Sequence, residues 1–178
     1  MAKVHMGEFL ETMEVFLKAE LREDSGGDYA ITGLPVANIN KAKLLTTPPR
    51  YILTASELPA VKIHFMGITE SSLETGDRIF WTYAYSVFYY RLQVPGQDHQ
   101  ELLIADLKKI VDSINEQTDS YRLDEFVATN QTEQQLQLIW ATNVIMHEEL
   151  KFEIDCPELR ISVGEVVIEI KSQSGLSG

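Results

Sequence analysis

Residues 77–92 read DRIFWTYAYSVFYYRL, and seven of the chain's sixteen aromatic side chains fall between Phe80 and Tyr90. Successive side chains of a strand point to opposite faces, so the stretch divides by parity. Odd positions carry Ile79, Trp81, Tyr83, Tyr85, Val87, Tyr89 and Arg91. Even positions carry Phe80, Thr82, Ala84, Ser86, Phe88, Tyr90 and Leu92. A strand with one solvated face alternates apolar with polar. Here the even face is small and polar at its centre and apolar at both ends. The pattern predicts a long strand with one face packed on helices and the other partly covered.

Two helices are available to pack on it. Met6, Phe9, Leu10, Met13, Phe16, Leu17 and Leu21 recur at three- and four-residue spacing, which predicts a helix over about 5–21. After the PGQD turn, Asp98 and Glu101 make a capping-box-like start to a second helix over 98–115. Leu103, Leu107, Ile110, Val111 and Ile114 form its apolar stripe, and Asp98, Asp106 and Asp112 are read as lying outside it.

The remaining segments read as strands and loops. AVKIHFM (60–66) predicts a strand ended by Gly67, and ITESSLETGD is read as a polar connection to the aromatic strand. The even-numbered apolar series from Leu136 to Ile154 breaks at Thr142 and Glu148, which predicts a bent strand or hairpin. A helix over 133–141, capped by Thr132, is the alternative. LRISV and VVIEI flank Gly164 and predict a strand pair or a bulged strand. The fold class is α+β. Residues 1–171 are read as one domain with an irregular arm at 22–59, and 172–178 as a flexible tail.

Charge narrows the function classes. The chain of 178 residues carries a net charge of −12 with a pI near 4.7. Gripping nucleic acid through phosphates needs clustered Lys and Arg, so that class is disfavoured. The charge is also segregated. Between Asp28 and Glu57 stand Lys41, Lys43 and Arg50 with no acid, whereas 98–155 holds thirteen acids against four cations. A solvated loop and a solvated acidic face account for this. A basic arm docking on the acidic face of a neighbouring subunit also does, and makes Lys41, Lys43 and Arg50 candidate subunit-interface residues.

Chemistry-bearing motifs are weak. The four histidines are scattered, and His147-Glu148-Glu149 lacks the i, i+4 ligand spacing of a helical zinc site. Cys156, the single cysteine, has no adjacent cation to activate it and allows no intrachain disulfide. The pairs Glu23-Asp24 and Asp124-Glu125 are uninformative in so acidic a chain. No GxSxG, GxGxxG or GxxxxGK[ST] occurs. The expectation is no catalytic residue, no cofactor and no metal. The start lacks an apolar core like that of a signal peptide, and no run reaches the roughly 18 apolar residues of a membrane-spanning helix. A soluble protein made in the cytosol is expected.

The order of elements carries a resemblance. An amphipathic helix and an irregular arm lead to the PAVKIHFMG strand and the aromatic strand WTYAYSVFYYRL. The PGQD turn and the helix ELLIADLKKIVDSINE follow, then strands rich in Val and Ile. Over about residues 5–171 this order resembles the tail terminator (tail completion) proteins of long-tailed bacteriophages. The resemblance is one of topology and texture; the 22–59 arm and the 135–155 segment have no counterpart in it. It implies a mixed, mostly antiparallel sheet with both helices on one face, the odd face of the aromatic strand against them. The even face would then line a sheet continued or covered by a neighbour. It implies a homo-oligomeric ring, a hexamer, that caps the tail tube and meets a neck or connector protein. DNA would pass through without specific binding, and the location would be the virion. Two alternatives stand beside it: another phage neck or tail adaptor, and a small ligand-binding protein or enzyme with a pocket beneath the aromatic strand.

Overall fold

The computed structural model describes residues 6–41, 55–74, 78–115, 136–147 and 160–175. Helix α1 spans Met6–Leu21, and a three-residue strand β1 follows at Ile39–Lys41. Strands β2 (Ala60–Glu74) and β3 (Arg78–Leu92) precede helix α2 (His99–Asn115). Strands β4 (Leu136–His147) and β5 (Ile161–Gly175) complete the order. One mixed sheet of order β1-β2-β3-β5-β4 results, parallel only between β1 and β2. The chain is α+β, as the sequence predicts.

Both helices lie on the odd face of β3. Tyr83, Tyr85, Val87 and Tyr89 share one core with Met13, Phe16, Leu17 and Leu21 of α1 and with Leu103, Leu107, Ile110 and Ile114 of α2. Val61 and Ile63 of β2 and Val166 and Ile168 of β5 complete it from the neighbouring strands. Burial of one such side chain is worth about 1.5–3 kcal/mol, so this core is the main adhesive of the fold. Helix α2 starts where the capping residue places it: Asp98 Oδ1 accepts the Glu101 backbone N–H at 3.0 Å.

Several strand boundaries differ from the expectation. Strand β2 does not stop at Gly67 but runs on to Glu74, which pairs with Arg78. Met66 is the extra residue of a bulge between Phe65 and Gly67, and Gly67 takes a φ of 123° that other residues rarely adopt. The polar composition of ITESSLE imitates a turn, but its backbone is held by the ladder to β3. Strand β5 is likewise continuous, with no shift of register against β3 at Gly164. It continues through Ser172–Gly175, residues expected in a flexible tail, because Arg78–Trp81 offer them partners. The segment from Leu136 is strand rather than helix, and its ladder to β5 shifts between Ala141 and Asn143, at the Thr142 interruption. Glu148 lies outside the described residues.

The first half of the 22–59 arm belongs to the domain core. Tyr29, Ile31, Leu34 and Ile39 are buried with α1, and β1 pairs with Val61–Ile63. Backbone bonds from Ile31 N–H to Leu21 C=O and from Glu23 N–H to Leu34 C=O, each 2.9 Å, fold it back on the helix end. The Asn38 amide donates to the Pro59 carbonyl at 3.1 Å, and Lys109 of α2 donates to the Ala30 carbonyl at 2.6 Å. Aperiodic sequence is therefore not exposed sequence here.

Candidate functional site

Of the three candidate interface cations, Lys41 ends β1, and Lys43 and Arg50 lie outside the described residues. The Lys41 ammonium is 2.7 Å from Glu11 Oε1, and its backbone N–H donates to Glu14 Oε2 at 3.1 Å. Glu14 also pairs with Lys18 one turn on. Lys41 thus already faces carboxylates of its own α1, while its side chain keeps 42% of its accessible surface. The hydrogen bond that the ammonium donates to Glu11 raises the lysine pKa, and desolvation opposes it. For Glu14, burial works toward a higher value. The bonds from Lys18 and the Lys41 backbone outweigh it, aided by both charges, and hold the carboxyl below its ordinary range.

Two buried polar clusters sit on opposite faces of β3. On the helix face, Asp106 of α2 is 6% exposed and its Oδ2 accepts from the Tyr89 hydroxyl at 2.7 Å and from the Arg91 guanidinium. Burial, the Asp106 charge and the bond to it push the Tyr89 phenol far above its ordinary pKa, against the opposing Arg91. Burial likewise raises Tyr85, so both rings are neutral core members at any physiological pH. The apolar-stripe reading missed Asp106. Its position was legible: 103, 106, 107, 110, 113 and 114 follow one helical face, and the polar members Asp106 and Ser113 are both buried. Ser113 satisfies its hydroxyl on the Ile110 carbonyl at 2.8 Å.

On the even face, Ser86 is 1% exposed and its hydroxyl donates to Glu165 Oε1 at 2.5 Å. His64, the cross-strand neighbour of Ser86, is buried beside them and sets its ring edge-on to Phe88 at 5.2 Å. Desolvation lowers the imidazole pKa from 6.5, partly offset by the Glu165 charge. Around this cluster Ala60, Tyr90, Ile161 and Val163 are buried, with Leu58 and Phe88 packed against them. The proximal even face is therefore enclosed within a single chain.

The other candidate residues form no cluster among the described residues. Glu23 and Asp24 are exposed in a short 3-10 turn, and Asp124, Glu125, Glu148, Glu149 and Cys156 lie outside the described residues. Among the described residues no group of three or more His, Cys, Asp or Glu side chains is placed to hold a metal. No described helix is long and apolar enough to cross a membrane. No protein-family model and no curated protein sequence matches the chain.

Proposed function

We propose that this chain is a structural subunit of a bacteriophage tail, of the tail-terminator kind. It assembles with copies of itself into a ring, a hexamer, between the last layer of the tail tube and the neck. The observation that carries the proposal is the layout around β3. The helices that precede β2 and follow β3 pack together on the odd aromatic face of a mostly antiparallel sheet. That is the arrangement which the resemblance in element order implies.

Supporting physical features point the same way. The space beneath the aromatic strand holds Met13, Phe16, Leu17, Leu107 and Ile110, a side-chain core where a ligand pocket would be needed for the rival reading. The strands β2, β3 and β5 are 15 residues each, about 50 Å at ~3.3 Å per residue. Each helix, of 16 or 17 residues, is about half that length. The ladder thus extends beyond the helix-packed core, as suits a subunit that shares walls with neighbours. A net charge of −12 keeps DNA mobile in a lumen, because it gives phosphates few cations to bind.

The direct test is electron microscopy of the purified protein, alone and mixed with tail tubes assembled from the tube protein. Rings, and densities capping one end of each tube, support the proposal. A protein that stays monomeric alone and leaves both tube ends bare refutes it.

A further inference from the structure

We draw no further inference here: the strongest candidate, the buried side-chain cluster of His64, Ser86 and Glu165 on the even face of β2, β3 and β5, carries nothing beyond stability against acid, since nothing among the described residues shows what a change of its charge would act on.

Discussion

The Tyr89 hydroxyl donates to Asp106 Oδ2 at 2.7 Å, and this bond locks α2 onto the central strand of the sheet. The same oxygen accepts from Arg91, two residues along the same face of β3. A buried carboxylate is costly unless such partners satisfy it. Removing the carboxylate in Asp106→Ala should cost about 2–4 kcal/mol, since it strands a buried phenol and a half-buried guanidinium. Tyr89→Phe leaves the ion pair and should cost only about 1–2 kcal/mol. Urea denaturation of both variants checks the order. Equal, near-zero losses would show that the cluster is incidental.

Gly164 owes its place to Leu107. A Cβ built on Gly164 would stand 2.5 Å from Leu107 Cδ1, far inside van der Waals contact. Gly164→Ala should therefore destabilise by about 1–3 kcal/mol through overpacking. Leu107→Ala alone should cost about 2–5 kcal/mol. In the double variant the new methyl meets no branched side chain, so the combined loss should fall short of the sum by at least about 0.5 kcal/mol. Strict additivity would contradict the contact.

Acid should weaken the fold in two separate windows. The His64 pKa is lowered from 6.5 in the folded chain, so below about that pH the unfolded state binds a proton that the native state refuses. Stability falls as pH drops from there and levels off once the folded-state value is passed. The Glu14 pKa is lowered from 4.5, so its contribution is present above that value and lost as pH falls through the folded one. Denaturation at pH 7.5, 6.5 and 5.5 should show a decline that His64→Gln flattens. An unchanged slope in that variant would assign the decline to other groups.

What could be read from the sequence divides along physical lines. Helices α1 and α2 and strand β3 were legible because each must bury one apolar stripe, and period alone reveals the stripe. The distal half of β2 was not, since it is held by main-chain bonds to β3, which leave no pattern in side-chain polarity. The Tyr29–Ile39 segment was missed for a related reason. Its anchors are single apolar residues and backbone bonds to the end of α1, with no repeat to detect. Asp106 was hidden by its charge, although its spacing put it on the buried face. For Lys41 the sequence showed charge segregation but not the partner, and Glu11 lies thirty residues upstream.

The three candidate interface cations give a further expectation. Charge reversal of Lys41, Lys43 and Arg50 together should weaken assembly, with a larger effect at low salt. Lys41→Glu alone also faces Glu11 and Glu14 in its own chain, so its monomer stability must be measured beside it. An unchanged oligomer in the triple variant removes these residues from the interface.

The central claim is that the chain closes into a ring with itself, and native mass spectrometry of the purified protein tests it most directly. The account predicts a single closed oligomer of six copies, in equilibrium with monomer on dilution. A two-fold dimer, or monomer alone up to the highest concentration reached, would contradict it.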